Sequence, residues 1–188
     1  MKVTFDAPDE LVAELRRHAA AEDRSIAGEL RAIVRAHTAS RLDRFVVESN
    51  RIEGITGQPT QREIDAHAHF LTLPTIDVPD LERFVDVVAG APLRDRPGDN
   101  VRVGPHVPPP GGPHIRELLD KLLQRIRLGE LTPMRAHVDY ETLHPFMDGN
   151  GRSGRVLWAW QTLRAGRDPF ELGFLHAFYY QALNGLRR

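Results

Sequence analysis

The chain of 188 residues contains no cysteine. That excludes a disulfide framework, a thiolate metal site and a cysteine nucleophile. No apolar run approaches the ~20 residues needed to span a bilayer. The opening MKVTFDAPDE lacks the apolar stretch of a secretory signal, so the expectation is a cytoplasmic protein with no membrane partner. Excess charge of one sign is missing too. Lys and Arg total 25 against 26 Asp and Glu, a formal net charge of -1. Such a balance excludes a global nucleic-acid field and leaves only a local basic patch as a route to nucleic acid. Apolar residues make up 41%, enough for one modest core. The length fits one main domain with a small appendage.

What is present is mostly helical periodicity. Val3 and Phe5 alternate with Lys2, Thr4 and Asp6, the pattern of a short half-buried strand. Leu11, Val12, Leu15 and Ala19 then recur at helical spacing, and Ile26, Leu30, Ile33 and Val34 mark a second amphipathic helix. Another helix is expected over 41–53, closed by Gly54. Thr60 with Glu63 forms a capping box opening a helix to about Leu73. Asp80 is expected to cap a helix over 81–88, with Gly90 closing it. Residues 91–113 hold many Pro and Gly and predict a loop, in which Val101 and Val103 flank Arg102 as a brief strand. Further helices are expected over 114–127, 133–143, 152–165 and 174–186, the third burying Val156, Leu157, Trp160 and Leu163.

One run carries chemistry: His144-Pro145-Phe146-Met147-Asp148-Gly149-Asn150-Gly151-Arg152-Ser153-Gly154-Arg155. Pro145 enforces a helix break, and the glycines allow close backbone approach by a ligand. A Gly-rich turn feeding a helix N-terminus is an anion site, because its N–H groups are unpaired and the helix dipole is favourable. Arg152 and Arg155, three apart, suit a polyphosphate. Asp148 suits Mg²⁺, which takes one or two carboxylates plus phosphate oxygens. His144 has an ordinary pKa of about 6.5, suited to a general base.

This run resembles the Fic family motif, H-P-F-x-D/E-G-N-G-R-x-x-R, at every fixed position. Ala136-His137, Tyr140 and Leu143 are similar to the family's preceding helix. Val101-Arg102-Val103-Gly104-Pro105-His106 is similar to its flap, and Tyr179 to Leu183 to its last helix. The resemblance implies a mainly α Fic-type helical bundle with a short β-hairpin flap, over residues 39–188. It implies a protein adenylyltransferase that moves AMP from ATP to a target protein's hydroxyl, with Mg²⁺ as cofactor. His144 would be the base, Phe146 the loop anchor and Asp148 the metal ligand. Gly149, Asn150 and Gly151 would form the anion hole, with Arg152 and Arg155 gripping phosphates. Val101, Arg102, Val103 and Gly104 would pair with an extended target segment by strand addition.

Ser49-Asn50-Arg51-Ile52-Glu53-Gly54 resembles the family's inhibitory helix motif. The resemblance implies that Glu53, with Ser49, engages Arg155 and denies it to the γ-phosphate. Removal of AMP from a target, or another donor in place of ATP, remains open. Residues 1–38 resemble a ribbon-helix-helix module, a small β-α-α unit. That implies a homodimer and a DNA partner through Lys2 and Thr4, although Asp6 sits poorly beside phosphates. A DNA-binding autorepressor is therefore the alternative function. The Asp65-to-His69 string has two histidines, but helical positions two apart point about 200° from each other, which argues against a metal site. His137 is expected to be a packed structural histidine, and Arg16-Arg17 and Arg187-Arg188 to be solvated.

Overall fold

The computed structural model describes residues 8–21 and 25–170, side chains at 31–40 excepted. The expected strand at residues 3–5 and the helix over 174–186 lie outside the described residues, and so does the test of the β-α-α module. The chain divides into two compact units, Met1–Arg41 and Leu42–Arg188.

Seven helices occur among the described residues: α1 (Asp9–Ala21), α2 (Ile26–Ile52), α3 (Gln61–Thr72), α4 (Val78–Val88), α5 (His114–Arg127), α6 (Pro133–Leu143) and α7 (Asn150–Arg164). In the first unit, α1 buries Leu15 and Ala19. Ser25 starts α2, its hydroxyl accepting from the Gly28 N–H at 3.1 Å. The sequence suggested separate helices ending near Val34 and starting near Arg41, but α2 runs continuously to Ile52. The intervening residues 35–40 contain neither Gly nor Pro, so no residue there opposes helix.

In the second unit α6 and α7 pack centrally, with α3, α4 and α5 around them. Their core joins Phe70, Leu81, Phe84 and Val85 to Ile115, Leu119, Leu123, Tyr140, Phe146, Val156, Leu157 and Trp160. A second cluster places Leu42, Phe45 and Val46 of α2 against Ala159 of α7. Gly154 makes the α6–α7 crossing possible: a Cβ there would meet Glu141 Oε1 at 2.6 Å and Tyr140 Cδ1 at 3.0 Å. Leu163, expected in the core, is 39% exposed, and the last turn of α7 buries Thr162 instead.

The α3 capping box is present, with Thr60 as N-cap. For α4 the cap is Asp77 rather than Asp80. Asp77 and Asp80 exchange bonds, each side chain accepting from the other's N–H at 2.9 Å. Pro79 belongs in that first turn, where its missing N–H costs nothing, so the helix begins three residues earlier than expected. No strand forms among the described residues. The flap hairpin reduces to one isolated bridge, Val103 with His106. Pro105 and the prolines at 108–110 supply no N–H to extend a ladder.

Candidate active site

The site is built at the junction of α6 and α7. Thr132 caps α6 by accepting from Arg135 N–H, and Pro133 fills its first turn. The helix ends at His144, whose N–H donates to Tyr140 O at 2.8 Å. His144 adopts φ 49°, ψ 63°, and among the described residues it alone, other than glycines, has positive φ. The left-handed region is disfavoured for such a residue, and it turns the chain sharply out of α6.

The loop that follows is held from both sides. Phe146 is fully buried in the core and bridges to Leu93. Arg94 N–H donates to Pro145 O at 2.8 Å, and Met147 N–H to Pro92 O at 3.0 Å. Asn150 takes Phe146 with both ends of its amide. Its Oδ1 accepts from Phe146 N–H and its Nδ2 donates to Phe146 O, each at 2.8 Å. The Asn150 side chain is thus occupied in shaping the loop. Gly149 has φ 77°, and a Cβ there would meet Ala89 Cβ at 2.7 Å. Glycine is required on both counts.

From Gly149 the chain enters α7 at Asn150, two residues before the sequence suggested. Its first intrahelical bond runs from Ser153 N–H to Gly149 O, so the amides of Asn150, Gly151 and Arg152 precede the ladder. Above them sits a carboxylate. A Cβ on Gly151 would lie 1.9 Å from Glu53 Oε1. Glu53 follows the end of α2, and its Oε1 accepts from Arg155 Nη2 at 2.6 Å. Arg155 is fully buried. Its Nε donates to Ser49 Oγ and its Nη2 to Ser49 O, both at 2.8 Å. Ser49, Glu53, Gly151 and Arg155 therefore meet at one point.

Arg152 goes elsewhere. Its Nη1 donates to Val88 O, away from the Ser49–Glu53 pair. Asp148 is exposed, and its Oδ1 accepts from Gly149 N–H at 2.6 Å. One exposed carboxylate beside a glycine-lined helix start has the chemistry to hold Mg²⁺, which usually takes its remaining ligands from phosphates and water. Among the described residues no group of three metal-ligating side chains occurs. His67 Nδ1 instead lies 2.7 Å from Glu63 O, and its ring packs edge-on against Phe84. Burial, with Arg155 and Arg152 nearby, lowers its pKa to about 4 against the pull of Glu63. His137 is buried against the Gly154 crossing.

Residues 101–104 form the open end of a loop. Val103 and His106 exchange backbone bonds at 3.0 Å, Gly104 has φ 56°, and Arg102 Nε donates to Gly104 O. Three features here escaped the sequence reading. Glu141 is buried, with Oε2 3.8 Å from His144 Nδ1. The Tyr140 hydroxyl lies 2.7 Å from Ser153 Oγ, and burial pushes its pKa up so that it stays neutral. Arg94, 50 residues from His144 in sequence, donates Nε to His144 O at 2.6 Å. The i, i+3 spacing of Glu141 and His144 was a readable signal; Arg94 had none.

A left-handed helix cap that leads into a glycine-lined helix start is a geometry that can receive an anion. Residues 9–162 match the model of the Fic/DOC family, and the chain belongs to that family. It is similar to the protein adenylyltransferase Fic of Drosophila erecta, 36% identical over 93 residues, which cover 45% of this chain and 18% of the relative. The protein of the same name from Drosophila yakuba is 38% identical with the same coverage. The chain thus spans about a fifth of the length of these curated relatives. No described helix is long and apolar enough to cross a membrane.

Proposed function

We propose that this chain is a protein adenylyltransferase that transfers AMP from ATP to a Ser, Thr or Tyr hydroxyl of a target protein, and that Glu53 holds it inactive. The observation that carries the reading is the Glu53 carboxylate against Arg155 and over Gly151, at the start of a helix built to bind an anion.

In the active form, the amides of Asn150, Gly151 and Arg152 and the Arg152 and Arg155 guanidinium groups orient the triphosphate. His144 takes the proton of the target hydroxyl as its oxygen bonds to the α-phosphorus. The bond to the bridging oxygen breaks and pyrophosphate leaves. Mg²⁺ held by Asp148 supplies neutralising charge on the phosphates when bound. The chain's own contribution is positioning and electrostatic stabilisation. Residues 101–104 present the target segment as a strand.

The brake is competition. Arg155 already donates to Ser49 and to the Glu53 carboxylate, so a γ-phosphate must compete with Glu53 for it. Charge-assisted pairs of this kind are among the stronger polar contacts. Replacing Glu53 with Gly removes the competitor and leaves Arg155 free for phosphate. With Mg-ATP, AMP incorporation read by intact mass, on the chain itself and on added proteins, is expected to rise at least about tenfold, equivalent to ~1.4 kcal/mol of competition removed. Equal incorporation by both forms would refute inhibition, and a mass gain other than AMP would refute the donor.

A further inference from the structure

Arg94 is fully buried, and the proposed mechanism does not use it. A buried guanidinium ordinarily finds a carboxylate. Among the described residues none lies at ion-pairing distance, and all four of its acceptors are backbone carbonyls. Nε donates to His144 O at 2.6 Å and Nη2 to Leu143 O at 2.9 Å. Nη1 donates to Asp99 O and Pro109 O, both at 3.0 Å. Its own backbone joins in: Arg94 N–H donates to Pro145 O, and Arg94 O accepts from Gly112 N–H.

The acceptors fall into two sets. Leu143 and His144 are the end of α6, where carbonyls lack helical partners, and His144 is the left-handed residue. Asp99 and Pro109 are the two ends of the loop that carries residues 101–104. That loop therefore leaves and returns to a single nitrogen. Gly111 keeps the closure tight, since a Cβ there would meet Asp99 O at 2.4 Å. The loop is pinned again near its tip. His106 Nε2 lies 2.9 Å from Thr142 O and, as the protonated ring nitrogen, donates to it. Three successive carbonyls closing α6, at 142, 143 and 144, are thus capped by side chains of the flap-bearing segment.

We propose that Arg94 is a positioning residue, which with His106 locks the His144 turn and the 101–104 loop in one register, so that base and target hydroxyl meet. This rests on the reading of His144 as base and of the loop as target-binding. Lysine preserves the charge but has one nitrogen, and it cannot reach both sets of carbonyls. Misplacement of a reacting group by 1 Å costs about 100-fold in rate. The phosphate cradle at 149–155 makes no bond to Arg94, so nucleotide affinity should be spared.

The test uses the full chain carrying Glu53→Gly, with and without Arg94→Lys. Arg94→Lys is expected to lower kcat for AMP transfer about 100-fold, leave ATP affinity by calorimetry within about twofold, and speed amide hydrogen exchange at both 100–111 and 144–149. A folded Arg94→Lys protein with unchanged kcat and exchange overturns the proposal. So does an equal loss of ATP affinity, which would make Arg94 a general scaffold residue. Should Arg94→Lys fail to fold, His106→Ala breaks only the tip bond. Faster exchange at 101–107 with a raised target KM supports the proposal, and no change in either overturns it. If the Glu53→Gly protein transfers no AMP at all, the functional reading fails by itself, and the coupled exchange of the two loops still decides whether Arg94 links them.

Discussion

Arg155 is the residue on which Ser49 and Glu53 converge. It is buried, carries a permanent charge and has one carboxylate within 2.6 Å. Removing Glu53 leaves that charge for ATP; removing Arg155 would leave Glu53 without its partner. His144 poses a separate question, because its backbone sits in a strained region while its side chain is assigned the proton. In the Glu53→Gly background, His144→Ala is expected to lower AMP transfer by about 10²- to 10⁴-fold, the usual contribution of a general base. ATP affinity should hold, since His144 lies outside the turn proposed to bind phosphate. Undiminished labelling with His144→Ala would strike His144 from the mechanism.

Among the helices, the ends matter more than the middles. The end of α2 is tied to the start of α3: Asn50 Nδ2 donates to Glu63 Oε1 at 3.4 Å, and Glu63 also closes the Thr60 capping box. Burial raises the Glu63 pKa, but bonds from Thr60 and Asn50 and the charge of Arg152 outweigh it and lower it overall. The helix bearing Ser49 is thus set by the cap of its neighbour. At α4 the reciprocal Asp77–Asp80 bonds define the start. Asp77→Ala is expected to destabilise the protein by about 1 kcal/mol, measured by urea denaturation, and Asp80→Ala added to it by less than its effect alone. Fully additive losses would mean that the two carboxylates act independently. These boundaries were partly readable. Thr60-x-x-Glu63 announced itself, and α5 and α6 fall where the periodicity put them. Asp77 did not, because two aspartates bracket Val78-Pro79 and only the folded turn selects between them.

The whole molecule's stability should follow pH through His67. Burial, with the two arginines, holds its folded pKa at about 4, against an ordinary value of 6.5. The unfolded chain therefore binds a proton at higher pH than the folded one. Stability from this group is complete above about pH 6.5 and is lost as pH falls toward 4. The full window corresponds to roughly 3 kcal/mol. His67→Gln is expected to be less stable at neutral pH and to show a flatter decline in unfolding free energy between pH 7 and 4.5. Identical slopes in the two proteins would show that other groups set the acid limit.

From the sequence alone come the helical class and the run from His144 to Arg155, which rest on short-range signals: hydrophobic spacing, turn chemistry and a contiguous motif. The partner expected for Glu53 came from the resemblance to the Fic family, because the pair lies 102 residues apart. Only the tertiary structure decided what surrounds that motif. It separated Arg152, turned to Val88 O, from Arg155, turned to Ser49 and Glu53. It reduced the flap to a single bridge. It brought Arg94 to the end of α6. The reason is that these contacts are made by backbone carbonyls and by side chains distant in the chain. A carbonyl carries no residue identity, so no pattern of residues announces which one a guanidinium will find.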